Sequence, residues 1–159
     1  MRLEDAGIFA LHKEKPETVT VKEFTVGEEM KQHIQEISEV PSNLQNFYQA
    51  VTSQDEKLPQ LLAFLDKMAP QRLIVFFGTC ASVDFHVLAL RLLCPDKCTF
   101  FKLHGKIDQK KRSKIYNEFK SQEKPDKHQV LLTTDLAARG IDIPDVDWII
   151  QYDPPQDSD

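Results

Sequence analysis

Short apolar runs alternate with amphipathic stretches along most of this chain, and this alternation restricts the possible folds more than any other feature. The run Leu73–Gly78, LIVFFG, is apolar throughout, as expected for a strand buried on both faces of a parallel sheet. The apolar residues of the stretches on either side, 58–68 and 83–93, recur at helical spacing. Each strand with its helix takes about 25–30 residues, which predicts a parallel α/β sheet with right-handed crossovers.

The same patterns place the individual elements. The predicted strands are 44–52, 73–78, 99–103, 130–133 and 148–152, and the predicted helices are 58–68, 83–93 and 107–119. Asp55 is expected to cap the first helix, and Pro70 to end it. Residues 42–159 are therefore predicted to form one domain. Residues 1–41 are predicted to be a linker or the remnant of a preceding domain, with strand character at Thr18–Val21 and a short helix at Glu28–Ile37.

Charge is distributed unevenly along the chain. The net charge is −5, but residues 43–140 carry a net +5 between two acidic ends. The stretch Lys102–Lys114 holds six basic residues against one acid, Asp108. Such a cluster can neutralise the phosphates of a nucleic acid, and it is equally typical of a solvated helix face.

Composition narrows the class of protein further. The cysteines, Cys80, Cys94 and Cys98, form no CxxC pair, and we interpret them as reduced structural thiols of an intracellular protein. Each apolar run is far shorter than the roughly 20 residues that span a bilayer, so no membrane partner is expected.

Three loops following predicted strands carry the unusual residues, and ligands of parallel sheets bind at such loops. In the first loop, Thr79 either caps a helix or helps to bind an anion at the helix N-terminus. In the second, Gly105 permits close backbone approach, while Gln109 and Arg112 share one helix face and suit phosphate oxygens. His104 has no partner at metal-ligand spacing, so no metal site is expected there.

The third loop, 133–144, reads TTDLAARGIDIP and is the most specific of the three. Arg139 stands among small residues, and Gly140 suits a tight approach of the backbone to a ligand. Asp135 and Asp142 either cap turns or accept hydroxyl groups of a sugar. The loop thus predicts a phosphate or nucleotide site, but GxxxxGK[ST] and GxGxxG are absent from the chain. Any NTPase site must therefore be shared with another domain.

The three loops resemble motifs of one protein family. TTDLAARGIDIPDVDWIIQYDPP resembles motif V and the following strand of DEAD-box RNA helicases, LIVFFGT resembles their motif IV, and LHGKIDQKKR resembles the HG-x₃-QxxR segment between them. The resemblance covers about residues 42–155 and is closest to the ribosome-biogenesis subgroup. It implies the C-terminal lobe of a superfamily 2 helicase, with a three-layer RecA-like parallel sheet of the P-loop NTPase type.

The resemblance also implies a function, that of an ATP-dependent RNA helicase acting in ribosomal RNA processing. ATP with Mg²⁺ would be held mainly by a first RecA-like lobe, which is a partner together with RNA and pre-ribosomal proteins. Nucleus and nucleolus are the implied locations, with the cytoplasm left open. The implied RNA-binding residues are Thr79, Gly105, Gln109, Arg112, Thr134 and Asp135, the nucleotide-binding residues are Gly140 and Asp142, and the residue coupling the two surfaces is Arg139.

The departures from the family pattern limit this expectation. A phosphate loop, the Asp-Glu-Ala-Asp box and the HRxGRxxR motif that follows QYDPP in the family do not occur in the chain. We therefore expect a C-terminally truncated lobe with uncovered apolar surface, no catalytic residue, and no ATP hydrolysis by this chain alone. Two alternatives stay open: a non-catalytic RNA- or protein-binding module from a shortened helicase gene product, and an unrelated α/β phosphate-binding protein.

Overall fold

The computed structural model describes residues 8–13, 44–121, 126–139 and 146–154. Within these ranges six strands form one mixed sheet in the order β2-β1-β6-β3-β5-β4. They are β1 (Ile8–Lys13), β2 (Leu44–Gln49), β3 (Arg72–Phe77), β4 (Cys98–Leu103), β5 (His128–Thr134) and β6 (Trp148–Gln151). A 3₁₀ turn, Gln54–Glu56, precedes α1 (Lys57–Lys67), and the further helices are α2 (Cys80–Leu93), α3 (Gln109–Lys120) and α4 (Asp135–Ala138).

Four neighbouring strands, β6, β3, β5 and β4, run parallel. Helices cover this part of the sheet on both faces: α1 and α2 contribute to one core cluster, and α3 and α4 to the other. The prediction of a three-layer α/β fold with a parallel sheet is therefore confirmed.

Strand β3 explains why its sequence is apolar without interruption. Leu73, Val75 and Phe77 belong to the core under α1 and α2, whereas Ile74 and Phe76 belong to the core under α3 and α4. Both faces of the strand are buried, so an alternating polar pattern would place polar groups in one of the two cores. Burying each of these side chains contributes roughly 1.5–3 kcal/mol, which makes β3 the apolar centre of the fold.

Strand β1 was not expected from the sequence, which places Ile8–Lys13 in a linker or the remnant of a preceding domain. The structure pairs β1 antiparallel with both β2 and β6, with Ala10 opposite Phe47 on one side and Ile150 on the other. The predicted strand at 18–21, the predicted helix at 28–37 and the domain boundary near residue 42 lie outside the described residues, and the boundary stays a prediction.

The starts of α1 and α3 differ from those predicted from the sequence. Asp55 does not cap α1 but lies within the 3₁₀ turn, and Glu56 precedes the helix without a capping side-chain bond. The reason is local: the Glu56 carboxylate accepts hydrogen bonds from the backbone N–H of Thr52 at 2.8 Å and from its hydroxyl at 2.7 Å. Helix α3 begins at Gln109, two residues after the predicted start, because the Asp108 carboxylate accepts the Lys110 N–H at 3.0 Å.

Helix α2 buries one face and exposes the other. Val83, Val87 and Leu90 are buried, whereas Phe85, Leu88 and Leu92 are 62–83% exposed at i, i+3 and i+7. This helix therefore carries an apolar stripe that the described residues leave exposed. No helix within the described ranges combines the length and the apolar character that crossing a bilayer requires.

The cysteines lead to a testable difference in reactivity. All three thiols are free, and burial, with the Cys94 thiol 3.5 Å away, raises the pKa of Cys98 to about 12. Since only the thiolate reacts, we expect iodoacetamide at about pH 8 to modify Cys98 more than about tenfold more slowly than the half-buried Cys80. Timed quenching followed by peptide mass spectrometry measures both rates, and equal rates would contradict the burial of Cys98.

Candidate nucleic-acid interface

Three loops begin side by side at the carboxyl edge of the parallel sheet. Phe77 of β3 is in register with Thr134 of β5, and Leu103 of β4 is in register with Thr133. Neighbouring strands lie about 4.8 Å apart, so the loops after β3, β4 and β5 begin within about 10 Å of one another. The structure thus brings together the three loops in which the sequence placed its RNA-binding residues.

The first loop contains Thr79, which directly precedes α2. Its side-chain oxygen accepts the backbone N–H of Ser82 at 3.1 Å, so Thr79 is the N-cap of the helix. The hydroxyl hydrogen is not used in that bond and can be donated to a phosphate oxygen. Thr79 is also exposed, and the positive end of the α2 dipole lies at the same edge. Capping is therefore observed, while phosphate contact stays a prediction.

The second loop offers open backbone. Gly105 is exposed, and a Cβ placed on it would meet no atom within 4 Å. The turn is closed by the Ile107 N–H, which donates to the His104 carbonyl at 3.0 Å. The space beside the Gly105 backbone is therefore open among the described residues, and close approach of a phosphate there stays a prediction.

Arg112 connects the second loop to the third. One guanidinium nitrogen donates to Gln109 Oε1 at 3.2 Å, and the other terminal nitrogen donates to the Ala137 carbonyl at 3.0 Å. The pairing with Gln109 agrees with the predicted i,i+3 arrangement. The bond to Ala137 was not predicted, and it ties α3 to α4, so that the two loops hold a defined relative position.

The third loop is accessible in part. Thr134 is only 8% exposed, Asp135 is half-buried at the start of α4, and Arg139 is exposed just after it. The Arg139 N–H donates to the Asp135 carbonyl at 3.2 Å and closes the short helix. Gly140 and Asp142, the predicted nucleotide-binding residues, lie outside the described residues.

His104 has an acidic partner that sequence spacing did not reveal. Its Nε2 lies 3.2 Å from Asp84 Oδ1, and the Lys102 ammonium donates to the same oxygen at 2.6 Å. Hydrogen bonds from Lys102 and His104 hold the pKa of Asp84 below its usual value. The imidazole is 4% exposed, so it packs beneath the second loop and does not face solvent. Among the described residues, no cluster of three or more His, Cys, Asp or Glu could hold a metal ion.

Positive charge surrounds this edge. Lys106, Lys110 and Lys111 are exposed at the start of α3 and in the loop before it. Lys114 is 78% exposed and lies 3.9 Å from Glu118, one helical turn further on. The exposed lysines support long-range attraction of a polyanion, while Arg112 is the basic group that the loops hold in place.

Residues 53–159 match the helicase conserved C-terminal domain family. The chain belongs to this family. The match includes the three loops and the strands that carry them, so the predicted resemblance to a helicase C-terminal lobe is confirmed. An unrelated α/β phosphate-binding protein is thereby excluded.

Named helicases are similar to this family member over most of its length. The ATP-dependent rRNA helicase spb-4 of Neurospora crassa is 38% identical over 159 residues, which cover 99% of the chain and 22% of that protein. Human ATP-dependent RNA helicase DDX55 is 39% identical over 143 residues, covering 90% of the chain and 22% of that protein. DEAD-box ATP-dependent RNA helicase 51 of Arabidopsis thaliana is 43% identical over 105 residues, covering 66% of the chain and 17% of that protein. The chain spans about a fifth of the length of these relatives.

Proposed function

We propose that this chain is the RNA-holding lobe of an ATP-dependent RNA helicase that acts on ribosomal RNA. The observation that carries the proposal is the bond from Arg112 to the Ala137 carbonyl, which joins two of the three aligned loops. The names of the relatives supply the substrate class, since spb-4 is an rRNA helicase. Pre-ribosomal proteins and a nucleolar location belong to the same proposal.

The chemistry of the edge suits the backbone of single-stranded RNA. The Thr79 hydroxyl, the amide N–H groups at the start of α2 and the Arg112 guanidinium are donors that fit phosphate oxygens. Gly105 leaves its backbone open to a strand passing over the loop. Backbone donors of this kind distinguish bases poorly, so we expect affinity with little sequence preference and with strong dependence on salt.

ATP with Mg²⁺ would be bound mainly by a first RecA-like lobe, since this chain has no phosphate loop. Gly140 and Asp142 are proposed to face the nucleotide, and Arg139 is proposed to couple the nucleotide and RNA surfaces. When bound, ATP and RNA would each favour the closed arrangement of two lobes, and closure would then strain one RNA strand.

Replacing Arg112 by alanine tests the proposal. With a fluorescein-labelled oligouridine of about ten nucleotides, we expect the dissociation constant of the 159-residue chain to rise about tenfold, as for the loss of one hydrogen bond to a charged group. The slope of log K against log salt should fall by about 0.7, the value for one phosphate on a single strand. Fluorescence anisotropy at several potassium chloride concentrations measures both quantities.

Lys114→Ala is the matched control, because it removes the same charge from an exposed position of α3, two residues after Arg112, where the ammonium lies 3.9 Å from Glu118. Its effect on affinity should be markedly smaller. Equal effects of the two substitutions would indicate unspecific attraction and would remove Arg112 from the site. A wild-type chain that does not bind the oligonucleotide would overturn the proposed function itself. Thermal unfolding of each variant shows whether the fold is kept.

A further inference from the structure

A buried lysine lies behind the first loop. Lys57, the first residue of α1, is only 3% exposed, and lysines are rarely buried to this degree unless they are paired. Its ammonium donates to the Tyr152 carbonyl at 3.0 Å, lies 3.6 Å from Asp153 Oδ1 and stands 5.5 Å from the centre of the Tyr152 ring. Sequence patterns did not single out this residue, since its partners lie some 95 residues away.

The second oxygen of Asp153 reaches the candidate interface. Asp153 Oδ2 accepts the backbone N–H of Gly78 at 3.0 Å, and Gly78 directly precedes Thr79. The backbone of the same segment follows the end of β3, because the Tyr152 N–H donates to the Phe76 carbonyl at 3.0 Å. Lys57, Asp153 and Gly78 therefore form a continuous set of contacts, which we call the Lys57–Asp153 clasp.

The clasp places a carboxylate one residue away from the expected phosphate contact. Without a partner, this negative charge would repel a phosphate bound at Thr79. The Asp153 side chain is only partly exposed, so solvent would screen this repulsion incompletely. The Lys57 ammonium lies against the same carboxylate and compensates its charge. Lys57 is too deeply buried to touch RNA, so we expect its influence on binding to act through Asp153, whose Oδ1 lies 3.6 Å from the ammonium.

We propose that Lys57 and Asp153 are positioning residues for RNA binding: Asp153 holds the Gly78–Thr79 turn through the Gly78 amide, and Lys57 neutralises Asp153 so that a phosphate can bind beside it. This inference rests on the proposed function, since it assigns a role to residues that lie behind the RNA-binding edge. The two contacts of the clasp have different roles. The hydrogen bond from Gly78 to Asp153 fixes the turn, whereas the ion pair between Lys57 and Asp153 sets the charge beside it.

Three variants of the 159-residue chain separate these contributions: Lys57→Met, Asp153→Asn and the double variant. Lys57→Met leaves an unpaired carboxylate beside the phosphate, and we expect about tenfold weaker binding of the labelled oligouridine. Asp153→Asn keeps an acceptor for the Gly78 N–H but leaves the Lys57 charge uncompensated, so it should bind at least as tightly as wild type and several-fold more tightly than Lys57→Met. The double variant should recover most of the loss caused by Lys57→Met.

Recovery in the double variant is the decisive readout, because a lysine that only stabilises the fold would change the melting temperature and not the affinity of folded protein. Affinities are therefore compared below the melting transition of every variant. The inference is overturned if wild-type RNA binding is intact and Lys57→Met binds equally well, or if the double variant binds no better than Lys57→Met. Absence of binding by the wild-type chain would instead defeat the proposed function, and this inference with it.

Asp153→Ala keeps the test decisive should Lys57→Met fail to fold. Alanine removes both the charge and the acceptor for the Gly78 N–H, whereas asparagine removes only the charge. We expect Asp153→Ala to bind the oligonucleotide at least about fivefold more weakly than Asp153→Asn, because the turn is no longer held. Equal affinities of these two variants would show that the hydrogen bond does not position the turn.

Discussion

Replacing Ala10 by proline is expected to destabilise the protein by roughly 3 kcal/mol or more and to release β2 from the sheet. Strand β1 is paired on both sides, with β2 and with β6, so the N–H of each interior residue bonds to one neighbour or the other. Proline has no N–H and is tolerated in sheets only at edges or bulges. In the described part of the chain β2 joins the sheet through β1 alone, so one substitution affects both strands.

Urea unfolding followed by far-ultraviolet circular dichroism measures this loss. Ala10→Ser is the control, since serine keeps the backbone N–H and is close to alanine in size, and it should cost less than about 1 kcal/mol. If the proline variant unfolds at the same urea concentration as wild type, β1 does not occupy the position between β2 and β6. The N-terminal segment would then be the linker or domain remnant that its sequence suggests.

The contrast between β1 and β3 shows which strands sequence patterns can predict. Strand β3 is apolar on both faces because both faces are buried, and that cause is local to the run itself. Strand β1 ends in His12 and Lys13 and runs into the charged, proline-containing stretch that follows, so its pattern is that of a linker. Its place in the sheet depends on pairing with residues far along the chain, which no local periodicity encodes.

The contacts of the candidate interface likewise include some that the sequence predicts and one that it does not. Capping by Thr79 and the pairing of Gln109 with Arg112 follow from rules that act over three or four residues, and both are present in the structure. The bond between Arg112 and the Ala137 carbonyl joins residues 25 apart, and it was not predicted. Spacing along the chain indicates which residues share a helix turn, but only the register of the sheet indicates which loops meet.

Strand β5 includes buried polar residues that the sequence prediction left outside the strand. The sequence predicts a strand at 130–133, whereas the structure extends it from His128 to Thr134 with every residue buried. His128 is accommodated because its Nδ1 accepts the Gln71 N–H at 3.1 Å and its Nε2 lies 3.0 Å from the Leu65 carbonyl. Burial lowers the pKa of His128, which fits a neutral ring with one donor and one acceptor. His128 can be buried at this end of the strand because its ring pairs with the backbone groups of Gln71 and Leu65.

Replacing Phe119 by alanine should cost about 3–5 kcal/mol of stability and should also weaken RNA binding. Phe119 is fully buried, and it is the one buried residue of α3, the helix that carries Gln109 and Arg112. Its ring lies 5.7 Å from that of Phe101 and 5.8 Å from the Arg72 guanidinium carbon. Without this anchor α3 keeps only half-buried contacts with the sheet, so Arg112 should lose its fixed position beside Ala137.

Asn117→Ala is the control on the same helix, because Asn117 is exposed and alanine favours the helix, so stability should stay within about 0.5 kcal/mol of wild type. Urea unfolding and oligouridine anisotropy, measured on the same samples, then separate two effects. Phe119→Ala should lower both stability and affinity, whereas Arg112→Ala should lower affinity with a smaller loss of stability. If folded Phe119→Ala protein binds RNA with wild-type affinity, the core contact of α3 does not determine where Arg112 lies, and the bond to the Ala137 carbonyl alone must hold it.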